Sequence, residues 1–291
     1  MKLSIITIAY NNLAGLKKTL PSVLAQDYTD FEHVIIDGGS QDGSADFIAH
    51  YARQAGERGI RVQWVSERDK GIYNAMNKGI QMSTGEYIEI LNSGDMLASD
   101  AIVGKMLKAL AQHNEPAILY GNMLKDKATG LVRDRCFNGQ PITLRGMYRG
   151  TLNHSPAYIR RSLFEQYGYY DEQYKIVSDW KWYLQVIIFG GIQPVYVDLD
   201  VTVFEMTGIS ETNKTLDKEE RKRVLQETVP AAILADYDRW AFAMDEVERL
   251  KRWHLWGLVW FVERVLFQID KRKNKKGERV EQKKIRTDKD E

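Results

Sequence analysis

Gly85-Glu86-Tyr87-Ile88-Glu89-Ile90-Leu91-Asn92-Ser93-Gly94-Asp95 is the stretch on which the fold turns. A β-prone apolar run, Tyr87 to Leu91, stops abruptly in a polar turn whose last residue is a carboxylate. In open α/β sheets ligands gather beyond the carboxyl ends of the strands, where loops converge and helix N-termini present free N–H groups. A hard divalent cation takes one or two carboxylates and fills its other positions with phosphate and water. Asp95 at a strand end suits that task. As a bare pattern it equally suits the N-cap of a helix over Ala98 to Gln112.

Outward from this turn the chain alternates short β-branched runs with helical spacing, the pattern of βαβ units and a mostly parallel sheet. Strands are expected at Leu3 to Ile8, His33 to Ile36, Val62 to Val65, Tyr87 to Leu91 and Ile118 to Tyr120. Helices are expected over Leu13 to Ala25, Ala45 to Ala55, Ile72 to Met82 and Ala101 to Gln112. Polar turns follow the other strands too: Tyr10-Asn11-Asn12, Asp37-Gly38-Gly39-Ser40 and Arg68-Asp69-Lys70-Gly71. Past Gly121 the pattern loosens, with loop signals at Lys125 to Gly130 and Asn138-Gly139. An amphipathic helix around Ser178 to Phe189 and a strand at Pro194 to Leu199 come next.

Each turn has a plain reading beside a functional one. Asp37 to Ser44 is good turn and N-cap chemistry, yet a carboxylate at a strand end can also accept the imide N–H of a pyrimidine. Asp37 suits that better than Asp42, which reads as a cap. Asn74 and Asn77 share a helical face, and Lys70 is either a ligand contact or a solvated lysine. Asp179, at the start of a helix, reads from position alone as a favourable charge at its positive end. His154 reads as a structural hydrogen-bonder.

Composition narrows the classes. The 291 residues carry 41 Lys and Arg against 40 Asp and Glu, which gives no case for a nucleic-acid partner. One cysteine, Cys136, excludes an internal disulfide, reads as inert packing and points to the cytosol. The opening apolar run is too short for a secretory signal, and Leu255 to Phe267 is too short and too charged to span a bilayer. No G-x-G-x-x-G follows the first strand, which disfavours a dinucleotide-dependent oxidoreductase.

Taken in order, Ser4-Ile5-Ile6-Thr7-Ile8-Ala9-Tyr10-Asn11, Asp37 to Ser44, Asp69 to Gly79, Gly85 to Asp95 and Ser178-Asp179-Trp180 resemble the family 2 glycosyltransferases of the GT-A fold, the bacterial type that builds polysaccharides. The resemblance covers residues 1 to about 210. It implies an α/β, Rossmann-like, mostly parallel mixed sheet flanked by helices. It further implies an inverting, metal-dependent enzyme that moves a sugar from a nucleoside-diphosphate sugar, UDP first, to a glycan or lipid-linked acceptor in cell-surface polysaccharide synthesis. The competing class is a non-catalytic sugar-nucleotide-binding or scaffold protein on the same fold.

The resemblance also assigns residues. Thr7, Ala9 and Tyr10 match the segment holding the nucleobase, with Tyr10 stacking on it, and Asp37 matches the carboxylate that reads the base. Asp69, Lys70, Asn74 and Asn77 fall where the nucleoside and diphosphate lie. Asn92, Ser93, Gly94 and Asp95 match the donor turn, with Asp95 the ligand of Mg2+ or Mn2+. Gly94 stands where the commoner motif has a second carboxylate, leaving Asn92 and Ser93 to compensate. Asp179 matches the catalytic base. His154, Ser178 and Trp180 fall near the donor sugar or acceptor, and Thr207-Gly208-Ile209-Ser210 reads as a loop over the site.

The expected organisation is a GT-A domain over 1–215, with a nucleotide-binding half (1–120) and an acceptor half (121–215). A helical extension over 216–270 and a basic, disordered tail over 271–291 follow. The tail holds ten Lys or Arg against five acids, leaving the rest mildly acidic. Trp253, Trp256, Trp260 and Phe261 lie just before it. Tryptophans beside cations suit peripheral contact with the inner face of a membrane through 245–270. Packing on a second subunit or on the chain's own domain is the other reading.

Overall fold

The computed structural model describes residues 2–206, 208, 212–253, 257–268 and 271. β1 (Leu3–Ala9) is buried at every position, which is why apolar residues occupy both of its faces and its two polar residues, Ser4 and Thr7, are hydrogen-bonded inside. It pairs in parallel with β2 (Phe31–Asp37) on one side and β4 (Tyr87–Ile90) on the other, and β3 (Arg61–Ser66) adds in parallel to β2. α1 (Leu13–Leu24), α2 (Ser44–Glu57) and α3 (Ile72–Met82) connect these strands, and α4 (Ile102–Gln112) leads onward. In α1 the Asn12 side chain accepts the Gly15 N–H at 3.0 Å, and Leu16, Leu20 and Val23 recur on one buried face.

Beyond β4 the sheet changes sense. β8 (Ala157–Arg160) runs antiparallel both to β4 and to β6 (Ile118–Lys127). β9 (Val195–Glu205) runs parallel to β6 and antiparallel to the two-residue β5 (Met96–Leu97). The order is β3-β2-β1-β4-β8-β6-β9-β5, and β7 (Gly130–Asp134) pairs with β6 off this path.

Three elements depart from the sequence expectation. Lys125 to Gly130 is the turn end of a hairpin rather than a loop: pairing of Lys125 with Phe204 extends β6 to Lys127, and Gly130, at φ 107°, opens β7. β5 is too short to carry any periodicity of its own. α7 (Ser178–Tyr183), which follows α5 (Leu144–Arg149) and α6 (Ser162–Tyr167), runs on as a π-helical segment, Leu184–Phe189.

α8 (Lys214–Thr228) locks the approach to α7. The buried Glu220 carboxylate accepts the N–H groups of Lys175, Ile176 and Val177 at 2.8, 2.9 and 3.3 Å. Behind it Trp182 stacks on Phe164 with centroids 4.4 Å apart. Cys136, half-buried, donates to the Thr151 carbonyl, and burial pushes its thiol up to about 11.

The chain divides into two compact units, Met1–Thr228 and Val229–Glu291. In the second, α9 (Ala231–Arg252) buries none of its residues, and the helical stretch 257–268 exposes Leu258, Trp260, Phe261, Leu266 and Phe267. Among the described residues no helix is long and apolar enough to cross a membrane. Trp256, the tail from 272 onward, and Thr207, Ile209 and Ser210 of the expected loop lie outside the described residues.

One acid in the core has a stability consequence. Glu89 lies fully buried on β4, and desolvation, offset in part by the Tyr158 hydroxyl, pushes its carboxyl up to about 8. The folded chain therefore keeps a proton that the unfolded chain releases above about pH 4.3, and stability falls as pH rises from there to about 8. Glu89→Gln removes that loss. Its melting temperature at pH 8 should exceed the parent's by roughly 5–10 °C, with the gap shrinking toward pH 5; thermal melts across pH test this, and a constant or inverted gap rejects it.

Candidate active site

The strand-end turns of β1 and β4, the start of α3, the segment before β8, α7 and the first turns of α8 enclose a cavity of about 920 Å3. Tyr10, Asp69, Asn92, Ser93, Asp95, His154, Asp179 and Trp180 all line it, together with Ala9. Of the residues singled out in the sequence these nine are brought together. Thr7, Asp37, Lys70, Asn74, Asn77, Gly94 and Ser178 do not line it.

At one end Tyr10 lies 64% exposed, an aromatic face available for stacking. A Cβ on Gly38 would fall 2.5 Å from Asp69 Oδ2 and 3.1 Å from Tyr10 Cδ2, so the glycine lets Asp69 and Tyr10 lie close against the chain there. Asp69 Oδ1 accepts the Gly71 N–H at 2.9 Å. Asp37, by contrast, is fully buried. Its carboxylate accepts from the Ser40 N–H and hydroxyl and from Ser66 Oγ, which braces the turn. Asp42 braces the turn before α2, whose N-cap position is Gly43, by accepting from the Leu13 N–H and from Ser44.

Thr7 is also interior, donating to the Leu91 carbonyl at 2.8 Å and accepting from His33 Nε2 at 2.9 Å. Asn74 and Asn77 do share a face of α3, but both amides donate to Glu172, and Asn77 also bonds Tyr170 in both directions. That face tethers the segment leading to α7. Lys70 is exposed, and Ser178 Oγ is buried.

The β4 turn supplies the carboxylate. The N-cap reading of Asp95 does not hold, because α4 begins only at Ile102. Asp95 is 3% exposed; its Oδ1 accepts the Glu205 N–H at 3.0 Å, and its Oδ2 has no partner among the described residues. Desolvation pushes its carboxyl up to about 7. A buried carboxylate oxygen left without a donor is costly unless a cation or proton meets it. Asp95 thus fits a divalent cation on its own geometry. Among the described residues no group of three or more His, Cys, Asp or Glu gathers, so the remaining ligands would come from phosphate and water.

Across the cavity Asp179 sits in the first turn of α7, and no side chain caps that helix. Its carboxylate accepts from His154 Nδ1 at 3.1 Å and, at 2.8 Å, from Tyr73 Oη, whose one proton it shares with the Ile176 carbonyl. Burial works against the charged form, but the His154 hydrogen bond and charge and the Tyr73 hydroxyl outweigh it and hold the carboxyl below its ordinary value. His154 in turn lies with Nε2 3.2 Å from Asn92 Nδ2. Although burial opposes it, Asp179 and Asp95 raise the imidazole above its usual range. Trp180 donates to the Met147 and Gly150 carbonyls and floors this end.

Sequence reading missed Tyr73, Glu205 and Glu220. Tyr73 stood inside a quoted motif and could have been weighed. The two glutamates act on partners more than 40 residues away and carry no local signal.

The description Glycosyl transferase family 2 matches residues 4–168. An uncharacterized glycosyltransferase of Mycobacterium tuberculosis is 33% identical over 209 residues, which is 71% of this chain and 76% of that one. A PGL/p-HBAD biosynthesis glycosyltransferase of Mycobacterium bovis is 28% identical over 77% of this chain and 84% of its own. Among solved structures, Staphylococcus aureus TarS 1–349 with UDP-GlcNAc superposes with a TM-score of 0.62 at 18% identity, covering 77% of this chain and 64% of that one. The mannosyltransferase PcManGT of Pyrobaculum calidifontis with GDP-Man and Mn2+ gives 0.57 at 17% identity, covering 76% and 60%. Both share the fold, the GT-A arrangement of a mixed sheet flanked by helices. With the family match spanning more than half of its length, this chain belongs to glycosyl transferase family 2.

Proposed function

We propose that the chain is an inverting, metal-dependent glycosyltransferase that moves a sugar from a UDP-sugar to a glycan or lipid-linked acceptor in cell-surface polysaccharide or glycolipid synthesis. One observation carries the reading: Asp95, with an unpartnered buried oxygen, and Asp179, a carboxylate held ionised, line the same cavity. A relative acting in glycolipid synthesis and solved neighbours with UDP-GlcNAc or GDP-Man and Mn2+ support it.

In this mechanism Tyr10 stacks on the base beside Asp69. Asp95 would hold Mg2+ or Mn2+, which when bound would supply charge neutralisation for the departing diphosphate. Asp179 receives the acceptor hydroxyl proton as that oxygen attacks the anomeric carbon from the face opposite the leaving group. His154 and Tyr73 keep Asp179 deprotonated and aimed.

Thermal-shift titration of nucleotide sugars with Mn2+ should show a UDP-sugar raising the melting temperature. Asp179→Asn should keep that shift while transfer falls by about 10²-fold or more; a fully active variant removes Asp179 from the role. A non-catalytic binder would show the shift and release no UDP. Tyr73→Phe removes one donor from Asp179, so its pKa rises and the acid limb of the kcat/KM profile moves to higher pH. An unmoved limb would show that another group titrates there.

For the second unit we read 245–270 as the element that docks on the cytoplasmic face of a membrane. Trp253, Trp260, Phe261 and Phe267 are exposed, with Arg249 and Arg264 over the Trp253 and Trp260 rings. The chain should sediment with vesicles containing anionic lipid and lose this on deletion of 245–291. Unchanged sedimentation after deletion, or a dimer without vesicle binding, rejects the membrane reading.

A further inference from the structure

Resting on the metal reading above, we propose that Glu205 is the second acidic ligand of the cation: it enters from β9 through the space that Gly94 leaves, and Lys18 holds it until the cation arrives. The register of the sheet sets this up. β5 and β9 are antiparallel with Met96 opposite Val203 and Leu97 opposite Thr202. The turn Asn92 to Asp95 that leads into β5 therefore lies against the end of β9, where Glu205 comes next to Gly94. The Glu205 N–H accordingly donates to Asp95 Oδ1 at 3.0 Å.

The side chain fills what the sequence leaves empty. A Cβ at position 94 would fall 2.3 Å from Glu205 Oε2 and 3.4 Å from its Cδ, and Gly94 itself stands at φ +109°. The carboxylate that the commoner motif carries at this position is therefore delivered by another strand. Asp95 and Glu205 both line the cavity, and Asp95 Oδ2, buried and unpartnered, marks where the cation's charge is needed. Two carboxylates are a normal protein contribution to Mg2+ or Mn2+ beside phosphate and water.

Lys18 is the counter-charge in the absence of the cation. Its Nζ lies 2.7 Å from Glu205 Oε1, with the two side chains 47% and 28% exposed. An ion pair this open to water is weak and can be exchanged for a divalent ion. The alternative is that the pair only ties α1 to β9, leaving the cation to Asp95 alone.

Mn2+ titration monitored by electron paramagnetic resonance, with saturating UDP, separates the two. Asp95→Asn should lose Mn2+. Glu205→Gln should weaken it about tenfold or more while the melting temperature without metal stays near the parent's. Lys18→Met should tighten it, since a competitor for Glu205 is removed; a pair serving only as a tie predicts lower thermal stability and no tightening. Parent-like Mn2+ affinity in Glu205→Gln, or unchanged or weaker affinity in Lys18→Met, overturns the role of Glu205. Loss in Asp95→Asn alone leaves the metal reading standing. Failure of the unsubstituted chain to bind Mn2+ removes both.

Discussion

The change of strand direction at β4 is the constraint from which the site follows. β4 runs parallel to β1 on one side and antiparallel to β8 on the other, so it is the seam between the parallel half of the sheet and the antiparallel half. On its other side the strand order reverses between β1 and β4, with β2 and β3 lying one way and β4 the other, and such a switch point opens a crevice at the strands' carboxyl ends. The turn after Ile90 falls into that crevice. From there Asn92 reaches His154, just before β8, and Asp95 meets the end of β9. Had β4 been flanked by two parallel strands, these groups would belong to different surfaces.

Within the crevice two aspartates of the same chemistry are driven to opposite states. Asp95 has one backbone N–H and is otherwise desolvated, which raises its carboxyl to about 7. Asp179, also buried, has side-chain donors in His154 and Tyr73, which lower its carboxyl. Environments that separate like groups in this way divide labour between them. In the proposed mechanism the first meets the cation and the second takes the acceptor proton. The scaffolding is hydrogen-bonded on both sides: Glu220 fixes the backbone before α7, and Asn77 and Glu172 fix the segment before that.

How far the sequence carried can be judged residue by residue. β1, β2, β4 and α1 to α4 were legible because each buries a run or a face of apolar residues, and β3 because Val62 and Val65 are β-branched although none of its residues is fully buried. β5 was not, since two residues have no period, and it is the element that sets Asp95 against Glu205. Among the site residues, Tyr10, Asp69, Asp95 and Asp179 lie on the cavity as position or resemblance implied. Asp37 and Thr7 illustrate the limit. A strand-end polar residue looks the same in sequence whether it faces a ligand or satisfies the turn, and here Ser40 and Ser66 consume the Asp37 oxygens. Asn74 and Asn77 were placed on one face, but periodicity does not say what that face meets.

Gly94 illustrates the converse error, of treating a missing side chain as a missing function. In the sequence it stands where the commoner motif has a second carboxylate and leaves Asn92 and Ser93 to compensate. In three dimensions the glycine is what admits Glu205, at a distance no side chain at 94 would allow. The binder reading must also account for Asp179. A protein that only holds a sugar nucleotide has use for Tyr10, Asp69 and Asp95. It has none for a buried carboxylate kept charged by Tyr73 and His154 on the far wall, where desolvation alone would neutralise it. Maintaining that charge against burial is intelligible where a proton must be taken up.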